Sequence, residues 1–221
     1  MADGAARSRI LAPLDLVTVT CAYYVTSIRF AWESAEVVLA EMFARYRRLR
    51  WRLRGAVLAK WIRLCGGVVG RNLQVDKRVH LRRPPHSGWK LGDDVYIGVG
   101  TILDIQRSGR LELGDSVKIM HYCVLASSVD VRIGAQSQVA EHCSIRDSDH
   151  GMDLGRPMRE QSVCTPTSIG EDVWIARGCI VTRGSRVGDG VVVGANSVVR
   201  GDVPALSVVA GAPARLIRSR V

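Results

Sequence analysis

The sequence predicts a mainly β fold, a parallel β-helix of about six coils behind an α-helical amino-terminal region, and three observations predict it. An aliphatic residue returns every sixth position through eighteen hexads from Val69, among them Ile97, Leu103, Leu125, Ile145, Ile175 and Val199. The position four residues further on is apolar or small in fifteen of the eighteen, as at Leu73, Cys123, Cys143 and Cys179. Gly98, Gly114, Gly134, Gly170, Gly188 and Gly194 directly follow such aliphatic residues, where a sharp bend favours a residue without a Cβ. An alternating pattern would mean ordinary strands, and spacings of three and four an amphipathic helix. A period of six instead fits a chain that turns a corner after each short strand, and fixed-period self-similarity marks a solenoid.

Residues 1–68 precede the repeat. From Pro13 to Arg54 there is no internal Gly or Pro, so one long helix or two abutting helices are expected. Met42, Tyr46, Leu49, Leu53 and Val57 form a stripe at helical spacing, with Trp51 and Trp61 near its edges. Much of the net charge of +10 lies here: Arg45, Arg47, Arg48, Arg50, Arg52, Arg54, Lys60 and Arg63 face a single acid, Glu41, between residues 41 and 64. Two readings stand equally: residues 13–64 lie on an anionic membrane surface, or the stripe packs on the prism end or a partner subunit. Nucleic acid is the weaker partner. Between Asp15 and Glu33 the only charge is Arg29, but Thr18, Thr20, Thr26 and Ser27 leave the stretch short of the roughly twenty apolar residues of a spanning helix. No secretory signal pattern is evident in the first ten residues, so a cytoplasmic protein, on the inner face of a membrane if the helix docks there, is expected.

The coils then run 69–86, 91–108, 113–130, 133–150, 169–186 and 187–204, with a tail over 205–221. Insertions at 87–90, 109–112, 131–132 and 151–168 each follow a third hexad, so all collect on one edge of a triangular prism. Pro85, Arg107 and Asp149, the three poor inward residues, each stand just before an insertion. Val163 is back in phase, which would shorten the longest excursion to 151–162. Six cysteines, at 21, 65, 123, 143, 164 and 179, form no C-x-x-C pair, and three of them occupy the small inward position. This reads as reduced packing residues in place of redox or metal-binding ones, and suits a reducing cytosol.

Of five histidines, His80, His86, His121, His142 and His150, the last is singled out by place. It ends a third hexad at the mouth of the longest insertion, within Arg146-Asp147-Ser148-Asp149-His150-Gly151. The run Asp149-His150-Gly151, then Ile169-Gly170-Glu171-Asp172-Val173-Trp174-Ile175, then Val193-Gly194-Ala195-Asn196-Ser197-Val198-Val199, and finally Val209-Ala210-Gly211-Ala212-Pro213-Ala214-Arg215 resembles the hexapeptide-repeat acyltransferases, in their sugar and polysaccharide O-acetyltransferase branch. The resemblance covers about residues 69–218. It implies a left-handed β-helix, a homotrimer, and acetyl-CoA as co-substrate, bound between neighbouring prisms with no metal.

It further implies that His150 is the general base on an acceptor hydroxyl that attacks the thioester directly. An imidazole, with its ordinary pKa of about 6.5, is mostly neutral yet basic at cellular pH. Asp147, Glu141 or a backbone carbonyl would orient the ring, and the backbone N–H of Ala176 would meet the developing oxyanion. Trp174, Ala176, Ala195, Arg200 and Gly201 would line the pantetheine arm, and Arg215 and Arg218 would meet the nucleotide phosphates. The expected activity is acetyl transfer to a saccharide hydroxyl in cell-surface polysaccharide synthesis, the acceptor being lipid-linked if the helix docks on a membrane. N-acetylation of an amino sugar or an antibiotic is the alternative within the family. Outside it stand a γ-carbonic-anhydrase-like metalloenzyme, for which the histidine spacings do not fit, and a non-catalytic membrane-associated scaffold.

Overall fold

The computed structural model describes residues 16–221, with side chains described from Val37 onward. One helix, α1 (Leu16–Leu64), precedes the repeat and runs ten residues past the Arg54 expected from the absence of Gly and Pro. The chain divides into two compact units, 1–47 and 48–221. In the first, Val37, Val38, Leu39, Met42 and Phe43 are all exposed, and Arg45 lies 3.7 Å from Glu41 one turn away. The weakly charged stretch between Asp15 and Glu33 lies outside the residues whose side chains are described. Among the described residues no helix is long and apolar enough to cross a membrane.

The second unit is the prism. Three parallel sheets form its faces, with strands stacked in coil order: the first from Val68–Val69 to Asp202–Val203, the second from Gln74–Val75 to Ser207–Gly211, and the third from His80–Leu81 to Val198–Val199. The register repeats without slippage through the stack: Ile97 pairs with Ile119, and Val139 with both Ile119 and Ile175. The in-phase aliphatics therefore form three continuous buried columns, Ile97, Leu103, Leu125, Ile145 and Ile175 among them at 0% exposure. A mainly β solenoid with the left-handed β-helix architecture results.

The glycines that follow the aliphatic residues have a different reason from the one expected. None of the six adopts positive φ. A Cβ on Gly134 would stand 2.5 Å from the carbonyl carbon of Gly170, and one on Gly114 2.6 Å from the nitrogen of Ala135, so these positions let successive coils approach. The left-handed bend falls two residues later, at Gly100, Ser116, Gln136, Asp172, Gly190 and Asn196. These corners thus have two special positions, one for contact and one for φ.

Three boundaries differ from expectation. Strands of the first sheet begin inside the expected insertions, with Trp89, Leu111, Val131 and Thr167 buried, so the true corner segments are shorter. Strands of the third sheet run on by alternation, which turns Ile105, Ser127 and Asp147 inward and leaves Arg107 and Asp149 exposed. The expected tail is structure: Ser207–Gly211 extends the second sheet, and Ala214–Ser219 returns antiparallel to close it.

The amino-terminal end is covered by the last turns of α1, on a face other than the expected stripe. Gly55, Leu58, Ala59 and Ile62 are buried, and Trp51 packs on Tyr96 with ring centroids 5.1 Å apart. Arg54 lies 3.8 Å from Asp76, and Arg63 donates to the carbonyls of Val69 (2.7 Å) and Gly70 (2.9 Å). Leu49, Leu53 and Val57 of the stripe are exposed.

Candidate active site

The longest interruption is a hairpin. Strand Ser148–His150 pairs antiparallel with Ser162–Cys164, with a single 3-10 turn, Met158–Glu160, between them. Val163 pairs with Asp149 and is exposed, so it belongs to the excursion and the prism resumes only at Thr167. His150 is exposed on this hairpin. Its Nδ1 lies 3.0 Å from the carbonyl oxygen of Met158 and 3.3 Å from that of Gln161. Carbonyls only accept, so Nδ1 carries a proton, and in the neutral ring the lone pair is on Nε2.

The residues that hold this arrangement are ones the repeat pattern does not mark. Gln161 is buried, and its amide donates to the carbonyls of Asp153 (3.0 Å) and Arg156 (2.9 Å) while its Oε1 accepts from the N–H of Asp153 (3.0 Å). A single residue therefore fixes the loop through its side chain and, with Met158, holds the imidazole through its backbone carbonyl. The root of the hairpin is tied down by Asp149, 3.0 Å from Arg183 on the next coil. Gly184 donates to the Thr165 carbonyl at 3.1 Å from the same corner.

Asp147 does not orient His150. It is fully buried, and its carboxylate accepts from the N–H groups of Ser128 (2.7 Å), Val129 (2.8 Å) and Asp130 (2.6 Å) and from the Ser127 hydroxyl (3.0 Å). Both oxygens are committed to the corner one coil below. Glu141 sits on a different edge, where its carbonyl accepts from Gly178. The orienting group is the third option, the backbone.

Ala176 does not offer its amide to an oxyanion either: its N–H donates to the carbonyl of Val193 at 3.0 Å, as a rung of the second sheet's stacking. The next amide, that of Arg177, donates to nothing among the described residues, and the Arg177 side chain is exposed. The hexad register was the available signal: on lower coils the residue after the aliphatic, Gly98 or Ala140, donates to a backbone carbonyl of the coil above, whereas the amide after it meets at most a side chain there, as Val99 meets His121.

The remaining expected cofactor residues fall into two places. Trp174, 54% exposed on the second sheet, lines a cleft of about 270 Å³ with Gln138, Val192, Asp172 and Arg220. Ala176 and Ala195 follow on the edge between second and third sheets, Ala195 exposed rather than packed in the corner. Arg215 and Arg218 project from the antiparallel strand that ends the second sheet and, among the described residues, bond only to neighbouring carbonyls, those of Ala214 and Ser219. The tail arginine that is anchored is Arg220, 2.9 Å from Asp172 and 3.0 Å from the Gly190 carbonyl. Arg200 and Gly201 instead follow the third sheet, on the edge that carries His150. One chain thus separates its histidine from Trp174, Ala176 and Ala195 by a full face of the prism.

Two of the other histidines are otherwise engaged. His121 accepts from the Val99 N–H at 3.1 Å, and His142 stacks on Tyr122 at 5.3 Å, both away from the His150 edge. Among the described residues no cluster of three His, Cys, Asp or Glu could hold a metal ion.

Residues 166–201 match the family described as bacterial transferase hexapeptide (six repeats). The chain is 32% identical over 174 residues to a probable acetyltransferase of Mycobacterium tuberculosis, spanning 77% of this chain but little more than half, 56%, of that relative. It is 35% identical over 136 residues to a putative lipopolysaccharide biosynthesis O-acetyltransferase of Escherichia coli, covering 58% of this chain and 69% of the relative. Among solved structures, a hexapeptide-repeat acetyltransferase of Vibrio cholerae, complexed with acetyl-coenzyme A, superposes with a TM-score of 0.55 at 29% identity over 60% of this chain and 70% of that one. The stacked hexads, the hairpin at their longest interruption and these similarities together make the chain a member of the hexapeptide-repeat acyltransferase family.

Proposed function

We propose that this acyltransferase moves the acetyl group of acetyl-CoA directly to a saccharide hydroxyl, with His150 as general base, in the building of a cell-surface polysaccharide. The observation that carries the reading is the state of His150: Nδ1 is held by two carbonyls, and Nε2 is free to take a proton from an acceptor. As the hydroxyl oxygen attacks the thioester carbonyl, its proton passes to Nε2 and charge builds on the carbonyl oxygen. The Arg177 N–H, which donates to nothing among the described residues, would meet it. Collapse of that intermediate expels the CoA thiolate, which recovers the proton from the imidazolium. The similarity to a lipopolysaccharide O-acetyltransferase supports an oxygen acceptor on a saccharide, and the acetyl-CoA complex of the Vibrio relative supports the donor.

Because His150 and the Trp174, Ala176 and Ala195 set lie on different edges, a working site needs the edge of one prism beside the face of another. A homotrimer places three such junctions around one axis. CoA would then lie along Trp174 and Ala195 with its phosphates toward Arg215 and Arg218, opposite a His150 and Arg200 of a second copy. The test is acetyl-CoA consumption with a saccharide acceptor. His150→Ala should lower kcat at least about a thousandfold with the assembly mass and melting unchanged; a near-normal rate would refute the base. His150→Ala and Ala195→Trp chains, each inactive alone, should recover part of the activity when co-expressed as a mixed assembly. No recovery would place the whole site in one chain.

A further inference from the structure

The second unit buries one side of its helix and leaves the other side both apolar and basic. Gly55, Leu58, Ala59 and Ile62 face the first coil. Counting 3.6 residues per turn, Leu49, Leu53, Val57, Trp61 and Leu64 share the opposite side. They are exposed, Leu53 at 58%, Val57 at 72% and Leu64 at 77%. Arg50, Arg52 and Lys60 rise beside and between them, all exposed. A contiguous apolar ridge of this kind is a site of interaction and not an ordinary scatter of surface residues.

We infer that this ridge docks on an anionic lipid bilayer, with the helix lying in the interface plane and the prism standing above it. Charge decides between the occupants that an apolar ridge permits. From residue 42 to residue 75 the sequence has no Asp or Glu at all, so a second copy of the helix would bring cations against cations. A bilayer carrying anionic headgroups meets both features: the acyl boundary takes the Leu, Val and Trp side chains, and the headgroups take the Arg and Lys heads that extend past them. Trp61 stands at the margin of the ridge, where an indole with one apolar face and one polar edge suits the interface. The opposite side of the helix is already seated on the first coil, so lipid binding requires no unfolding. This docking is independent of the acyl-transfer reading.

The experiment is flotation of the full chain with vesicles of phosphatidylcholine alone and of phosphatidylcholine containing about 30% phosphatidylglycerol. The protein should float with the anionic vesicles, with binding falling about tenfold or more as salt screens the headgroups, and should stay behind with the neutral ones. Leu53→Gln with Val57→Gln, and separately Arg52→Gln with Lys60→Gln, should each reduce flotation about tenfold, with circular dichroism, melting and solution mass unchanged. These side chains are exposed, so neither pair disturbs the fold. Failure of the wild-type chain to float, or flotation of the Leu53/Val57 variant equal to wild type, overturns the inference. So does a fall in solution mass by whole chains in that variant, which would assign the ridge to a second copy.

Discussion

Gly151 shows how narrowly the site is set at the level of one atom. A methyl group there would stand 2.7 Å from the Oε1 of Gln161 and 2.8 Å from its Cβ. Gly151→Ala should push Gln161 off the Asp153 and Arg156 backbone and loosen the carbonyls that hold Nδ1 of His150. The expected result is a loss of about 1–3 kcal/mol in transition-state stabilisation, roughly five- to 150-fold in kcat, with little change in melting because the hairpin stands outside the prism. Steady-state kinetics beside a thermal melt measures both. The sequence marks His150 well, because it stands where a strict rhythm breaks. It does not mark Gln161, eleven residues away in a loop without periodicity, and it misplaces Asp147. The hexad rule puts the inward residue four places after the aliphatic, but the third-sheet strand continues past Ile145 and simple alternation turns Asp147 inward instead.

At the scale of an element, α1 carries two apolar faces, and only one fits the prism. Leu49, Leu53 and Val57 are the more obvious stripe, yet the buried face is built on small residues, Gly55 and Ala59, with Leu58 and Ile62. Close approach is the reason: a Cβ on Gly55 would stand 1.8 Å from the carbonyl oxygen of Leu73. In an isolated helix Gly→Ala is stabilising by about 1 kcal/mol. Here Gly55→Ala should instead cost about 1–3 kcal/mol, because the helix must lift from the first coil. A fall in the denaturation midpoint, together with greater protease sensitivity near residue 64, is the outcome to look for; a rise in the midpoint would show that the helix is not seated there.

The whole prism is held by columns, and one of them is a ladder of thiols. Cys123, Cys143 and Cys179 stack at one corner, and each Sγ contacts a carbonyl of the next coil, at 3.1, 3.2 and 3.0 Å. The hydrogen bond between the Cys123 and Cys143 sulfurs holds the Cys123 thiol below its ordinary value and, with burial, pushes that of Cys143 up to about 11; Cys179 is raised further, first by Cys143 and then by burial, so two of the three resist ionisation. An acid whose ionisation is suppressed by folding adds stability below its unfolded value of about 8.5 and loses it as pH rises above that. The denaturant midpoint should therefore fall between about pH 8.5 and about 11. In the native protein at pH 8 a thiol reagent should modify the exposed Cys164 and leave Cys123, Cys143 and Cys179 untouched until denaturant is added. Rapid modification of all three without denaturant would mean that the corner opens.

The six-residue period, read from the sequence by itself, determined the solenoid, its number of coils, the edge that gathers the insertions and the histidine at the longest of them. These follow from a local rule repeated many times, so each hexad reports on all the others. What only the tertiary structure decided is everything that depends on two segments meeting: the burial of Asp147 in the amides of residues 128–130, the carbonyls that hold His150, the Arg177 amide left free by the coil above, and the face of α1 that rests on the prism. A repeat specifies what each coil presents to its neighbours. It carries no information about an excursion whose conformation is set by a single glutamine, nor about which of two apolar faces a helix can bring close enough to pack.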